Sequence, residues 1–298
     1  MTRWSVAALV ALCASSLAQQ RTPLRSSVEL TVVTATVRDE NGKLVTGLPR
    51  EAFEISEDSI PVPIAQFSNE RVPLGLGLLL DISDSMFGRR IKDAEGAVER
   101  FLTTLLDPAD AFFVMAFNHQ PQILFGWKSE ATGVHEALAA LRPTGATAIY
   151  DAMVAAMPYL ENRPRERAAL VLITDGADTA SDLTLHDLRP ALVRTDAFVY
   201  AIAIDTPEPQ PIAKRVSVDT LNEITSQSGG RTEVVRATAD LDTATASIAD
   251  ELNHQYVLGY SSPHPGDGQY HSIRVHATNP AYKVRARTGY VSLKRSLQ

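Results

Sequence analysis

The sequence predicts an α/β fold: a doubly wound, mostly parallel, Rossmann-like sheet with flanking β-strands that form a small β-sandwich. Three observations carry this. The run LGLGLLLD, Leu74 to Asp81, holds only leucine and glycine before its terminal aspartate, and continuous apolarity of this kind belongs to a strand covered on both faces. From there, strand-like and helix-like segments alternate as far as Asn253, which is how a parallel sheet wrapped by helices is built. On either side, over residues 26–68 and beyond His254, the helical period is missing and short strand patterns remain.

The elements follow in order. SVELTVVTATVR alternates as a half-buried strand does, and Asp39-Glu40-Asn41-Gly42 suits a tight hairpin turn. FEISED and PVPIAQFS are two further short strands, with Pro61 and Pro63 confining their neighbourhood to an edge or a turn. After the opening strand, Ile91, Ala94, Val98, Phe101, Leu102 and Leu105 recur at spacings of three and four, one face of a helix. AFFVMAFN is a buried strand and QILFGW a shorter one. In TAIYDAMVAAMPYL, Ile149, Ala152, Met153, Ala156, Met157 and Leu160 form a single stripe. RAALVLIT and DAFVYAIAI are apolar enough for central parallel strands, and TLHDLRPALVRT between them reads as helical despite Pro190. A helix from Ser217 stops at Gly229-Gly230, and Leu241, Ile248 and Leu252 mark a last one. QYVLGY, YHSIRVHA and YKVRARTGYV complete the chain as strands.

The first residues read as an export signal over 1–18: Arg3, an apolar stretch from Val6 to Cys13, then Ser16-Leu17-Ala18 as a small-residue cleavage site. The apolar part is shorter than the roughly 18 residues a membrane span needs, and no later run reaches that length. An extracytoplasmic protein, periplasmic or secreted and without a transmembrane segment, is therefore expected. Leu12 is bulky where a lipid-attachment signal wants a small residue. Cys13 is the only cysteine, so a processed chain has no internal disulfide, cysteine nucleophile or thiolate metal site. The remainder divides into a β-rich segment over 19–72, the α/β unit over 73–255, and C-terminal strands over 256–298. Each flank is too small for a free-standing fold, so the two are expected to pair into one sandwich with the α/β unit inserted between its halves.

The chain has 298 residues, 45% hydrophobic and 21% charged, with net charge -7. These are globular proportions, and the acidic balance argues against a nucleic-acid partner. The chemistry gathers at strand ends. Ligands of open α/β sheets bind beyond the carboxyl ends of the strands, where strand order reverses. DISDS ends the first strand of the unit, and Thr174-Asp175-Gly176 ends a later one. With the common order 3-2-1-4-5-6 these two ends are neighbours astride the switch point. Two adjacent carboxylates repel unless a cation or a proton lies between them. Asp81, Ser83 and Ser85 are spaced by two, so an extended segment turns all three the same way, while Asp84 is left to solvent or to capping the next helix. The glycine-loosened turn PTGATAIYDA adds Thr147. Hydroxyl and carboxylate oxygens are hard donors suited to Mg²⁺, with Mn²⁺ also fitting. Taken singly, Ser85 reads sooner as the N-cap of a helix starting near Gly88, and Asp175-Gly176 as a simple turn; it is jointly with Thr147 that they read as a metal site.

Asp81-x-Ser83-x-Ser85, Thr147 in GATAIYDA and Asp175 in ITDG together resemble the von Willebrand factor type A domain and its metal-ion-dependent adhesion site. The flanks, from VRDENGKLVTGLPREAFEISEDS to YKVRARTGYV, look like a bacterial secreted group called VWFA-related proteins. The resemblance implies that Ser83, Ser85 and Thr147 contact the cation directly, while Asp81 and Asp175 act through water. It also implies a protein partner whose Asp or Glu carboxylate completes the coordination. Asp151 and Asp178 are rim or supporting candidates. A non-enzymatic adhesion module is the expected function. The alternatives are a structural module with a vestigial site, and a metal-dependent hydrolase. For the hydrolase, a phosphatase built on Asp81 would want a second Asp at position 83, and no Gly-x-Ser-x-Gly, phosphate loop or paired-His motif occurs. His271 and His276 differ by five and face opposite sides of one strand, so no metal cluster is expected among His264, His271 and His276.

Overall fold

The computed structural model describes residues 30–205 and 217–293; the export signal lies outside them. The chain opens with β1 (Leu30–Arg38), β2 (Phe53–Glu57), β3 (Ile60–Val62) and β4 (Ile64–Ser68). The α/β unit follows: β5 (Leu74–Asp81), α1 (Arg89–Arg100), β6 (Ala111–Phe117), β7 (Pro121–Lys128), α2 (Val134–Ala139), α3 (Ile149–Glu161), β8 (Arg167–Thr174), α4 (Leu185–Arg194), β9 (Phe198–Ile204), α5 (Val218–Ser228), β10 (Thr232–Val235) and α6 (Thr238–Asn253). β11 (Tyr256–Ser261), β12 (Tyr270–Ala277), β13 (Lys283–Ala286) and β14 (Gly289–Val291) close the chain.

The six-stranded sheet has the order β10-β9-β8-β5-β6-β7. It is parallel except for β7, which runs antiparallel to β6, so β5 and β8 are neighbours at the point where the order reverses. Leu76, Leu78 and Leu80 face a core shared with α1 and α6, while Leu79 faces α3, α4 and α5. The glycines of β5 have a packing reason. A Cβ at Gly77 would lie 2.4 Å from the Phe113 ring and 2.6 Å from Leu170, so large neighbours on adjacent strands occupy the space. The predicted stripes of α1 and α3 are buried apart from Leu105, which lies beyond α1 in a π-helical turn over Phe101–Leu105 and is partly buried. Pro190 sits inside α4, whose start is secured by a reciprocal Thr184–Asp187 capping box. The turn at Asp39–Gly42 forms, but only the single bridge Arg38–Leu44 follows it, so the hairpin has no second strand. α2 and β10 carry too short a pattern to be read from sequence.

The flanking strands pair across the chain. β1 and β4 both join β11, and β1 also joins β13. β2 joins β12, with β14 and β3 at the two edges; Pro61 lies in β3. Val33, Ala35, Leu258 and Tyr260 from one sheet meet Phe53, Ile55, Ile273 and Val275 from the other in a common core. The sandwich is tied to the α/β unit by Glu251 of α6, fully buried, which receives Arg38 of β1, Arg285 of β13, Arg231 and the Tyr200 hydroxyl. Among the described residues no helix is long and apolar enough to cross a membrane.

Candidate metal centre

The site grows from the last residue of β5. Asp81 is fully buried, with one carboxylate oxygen accepting from the Ser83 amide at 2.8 Å and the other from the Thr174 hydroxyl at 2.6 Å. Beyond it the backbone does not remain extended: Asp84–Met86 form a 3₁₀ turn entered from Ser83. The turn still brings the serines together, with Ser83 Oγ and Ser85 Oγ 3.0 Å apart. Ser85 Oγ donates to Asp175 Oδ1 at 2.6 Å. It does not cap α1, whose N-cap is Gly88 with φ 79°. Asp175 is likewise more than a turn residue, because its other oxygen lies 3.1 Å from Arg90 Nη1.

Thr147 reaches the same corner. A Cβ built on Gly176 would stand 3.2 Å from Thr147 Oγ1 and 3.8 Å from Ser85 Oγ, so those two hydroxyls flank the glycine that follows Asp175. The Thr147 loop is stitched to the corner by backbone bonds. Thr144 N donates to Ile82 O at 2.9 Å and Asp84 N to Gly145 O at 2.9 Å. The Asp84 carboxylate accepts in return from Gly145 N at 3.0 Å. Asp84 is solvent-exposed, as its position in the sequence suggested, and does not cap α1; its carboxylate clamps two loops. Gly145 favours glycine because of its φ of +81°, and the His119 ring would have to shift for a Cβ, its nitrogen lying 2.8 Å from where one would stand. All five residues singled out from sequence (Asp81, Ser83, Ser85, Thr147 and Asp175) thus converge beyond the β5–β8 switch point.

The two supporting aspartates lie elsewhere. Asp151 accepts from Asp182 N and Leu183 N at 2.9 and 3.0 Å. Asp178 accepts from Tyr150 N at 3.1 Å and from Ser181 Oγ at 2.6 Å. Both latch the 176–184 loop to the start of α3 and so shape the rim. Trp127 packs edge-on against Phe113 and donates its indole N–H to Tyr159 O, a packing role.

The electrostatics of the corner call for positive charge or a proton. Burial pushes the Asp81 carboxyl up to about 7, against hydrogen bonds from Thr174 and Ser83 that lower it, and the nearby Asp175 charge raises it further. A buried carboxylate beside a second one is stable at neutral pH only with compensating positive charge or with a proton. The donor set, two carboxylates and three hydroxyls, suits a small hard cation. Sequence reasoning missed Arg90. It is buried, with its guanidinium on Asp175 and on Ser85 O at 2.9 Å, and it points into the corner although it lies on the mostly apolar face of α1. Phe87, 78% exposed, stands on the rim directly after the turn; an aromatic following DISDSM was its only sequence signal.

Residues 76–177 match the family described as the von Willebrand factor type A domain. The fold is similar to that of a von Willebrand factor type A protein from Catenulispora acidiphila, at 13% identity over 91% of this chain and 76% of that one, TM-score 0.53. It is also similar to proximal thread matrix protein 1 from the mussel byssus, at 16% identity over 72% of this chain and 51% of that one, TM-score 0.51. No curated protein matches the chain in sequence. The match spans β5 to the Asp175 corner, the part of the molecule in which the oxygen cluster is built, and this chain therefore carries a von Willebrand factor type A domain.

Proposed function

We propose that the protein is an extracytoplasmic, non-catalytic binding module. Its type A domain would hold Mg²⁺, or Mn²⁺, at Asp81, Ser83, Ser85, Thr147 and Asp175 and capture a protein partner through that partner's Asp or Glu carboxylate. The observation that carries this reading is the meeting of Asp81 and Asp175, both essentially without solvent exposure, with three hydroxyls at one sheet edge. Hydroxyl-rich coordination leaves the ion with residual positive charge, so an incoming carboxylate gains a direct electrostatic contact. Phe87 beside it offers apolar area at the same surface. Thermal unfolding in EDTA and in graded Mg²⁺ tests the metal: binding to the native state alone adds about 2.7 kcal/mol at a hundredfold excess over Kd. Capture of partners from the cell envelope in Mg²⁺ but not in EDTA tests the adhesion.

One observation favours a second reading. The Arg90 guanidinium already supplies a positive charge to Asp175, which suits a structural module whose metal site is vestigial. An unchanged unfolding midpoint across the Mg²⁺ series selects that reading.

A further inference from the structure

A second cluster of ligating side chains lies in the β-sandwich, remote from the switch-point corner and assembled from both ends of the chain. His271 of β12 is buried and faces inward, while His276 is exposed on the opposite side, as their spacing requires. His264, in the β11–β12 connection, closes over His271 with ring centroids 4.6 Å apart. Glu57 and Asp58 arrive from the turn between β2 and β3. Ligand atoms of Glu57, His264 and His271 all lie within 4.8 Å of one another. Asp58 completes a fourth corner: its Oδ2 is 2.7 Å from His271 Nδ1 and 3.9 Å from His264 Nδ1, and His264 Nδ1 is 3.2 Å from Glu57 Oε1.

We infer that Glu57, Asp58, His264 and His271 form a binding site for a Zn²⁺-class divalent cation. Three observations support it. First, a tetrahedral ion held at about 2.0–2.1 Å has ligand–ligand edges of roughly 3.3 Å, and the three edges above bracket that value. Two imidazoles with two carboxylates select a borderline ion over Mg²⁺. Second, His271 Nε2 sits 3.0 Å from Asp267 Oδ2, the carboxylate–histidine arrangement that orients a ligating imidazole and leaves Nδ1 for the ion. Third, Asp58 and Ser59 adopt φ of 48° and 68°, a two-residue turn that glycine would fill more easily. That conformation aims the Asp58 carboxylate at His271 and at the Ser272 amide, 2.8 Å away. Glu57 is held rigidly by the Tyr260, Ser262 and Tyr290 hydroxyls. His264 and Asp58, each 37% exposed at the side chain, give the ion a path in. The stacked rings must part as it enters: His264 tilts, His271 stays pinned by Asp267, and Nδ1 protons leave to solvent.

The full mature chain, stripped of metal by dialysis, is titrated with Zn²⁺ against a chromogenic chelator and with Co²⁺ for visible d–d absorption. The expected result is one equivalent with an intense tetrahedral Co²⁺ band, retained in Asp81→Ala. In His264→Ala, where the lost side chain is partly exposed and the circular dichroism should not change, the band disappears and Zn²⁺ affinity falls at least 100-fold. Asp267→Asn, which removes only the orienting carboxylate, weakens binding about 10-fold. Absence of Zn²⁺ uptake at tens of micromolar overturns the inference. So does uptake that survives His264→Ala and vanishes in Asp81→Ala, which assigns the ion to the switch-point corner.

Discussion

Asp81 and Glu57 are both fully buried carboxylates, and the two domains treat them in opposite ways. At Asp81 burial prevails over the hydrogen bonds from Thr174 and Ser83, and the carboxyl rises to about 7. At Glu57 burial raises the carboxyl too, but donors from Tyr260, Ser262, His264 and Tyr290 outweigh it and hold the group below its ordinary value. Four side-chain donors satisfy a buried charge internally; the Thr174 hydroxyl with the Ser83 amide and hydroxyl, beside a second carboxylate, do not. The sandwich carboxylate is thus kept charged by protein donors, one of them the His264 ring that the proposed Zn²⁺-class ion would recruit, whereas the sheet-edge carboxylate keeps its proton until positive charge reaches it. That difference is the physical basis of the metal site proposed at the α/β corner.

The largest expected effect breaks the comparison at its unsatisfied end. Asp81→Asn keeps the shape and removes the charge, and Mg²⁺ affinity measured by calorimetry should fall by two orders of magnitude or more. Undiminished affinity would remove the metal reading. Arg90→Gln comes next. Taking one partner from a buried ion pair costs about 3 kcal/mol, so the variant should unfold earlier in urea when metal-free. Mg²⁺ should restore much of the loss and bind several-fold more tightly once the guanidinium no longer competes for Asp175. Should the variant gain nothing from Mg²⁺, Arg90 would stand as the permanent counter-ion of a vestigial site. Glu57→Gln, on the satisfied side, should cost about 2 kcal/mol through lost charge-assisted hydrogen bonds, read as an earlier urea midpoint.

The two carboxylates also predict opposite pH signatures. In EDTA, native Asp81 holds its proton up to about 7, while the unfolded chain releases it near 4. Its contribution to stability is therefore complete below about 4 and lost as pH rises through 7. Glu57, lowered in the native state, contributes stability above its ordinary value and loses it on acidification. Unfolding free energies across pH should lose the first slope in Asp81→Asn and the second in Glu57→Gln; unchanged slopes in either variant would contradict the assignment. The smallest effect belongs to Phe87→Ala. With a side chain this exposed, stability should move by no more than about 0.5 kcal/mol. Mg²⁺ binding should be unaltered and envelope capture reduced; a change in Mg²⁺ affinity would place Phe87 inside the site, not on its rim.

Much of this was legible in the chain because it is local. Apolar runs and stripes of period three and four report burial without reference to any partner, and so the elements of the α/β unit other than the short α2 and β10 could be placed in order. The five oxygen-bearing residues stand at strand ends or loop mouths, positions that such patterns define. Asp84 shows the boundary: its neighbours suggested a cap, yet its carboxylate binds Gly145, 61 residues away. Arg90 could be placed on a helix face, but not aimed at Asp175.

By itself, then, the sequence determined the alternation of strands and helices, the β character of both flanks, and which side chains could donate oxygen at the sheet edge. Only the tertiary structure decided that Arg90 shares the corner of Asp81 and Asp175, that Asp151 and Asp178 latch a loop, and that His264 meets Glu57 across 207 residues. The physical reason is range. Period and propensity act over a few residues, whereas a contact between distant segments exists only once strand order and register have brought them together.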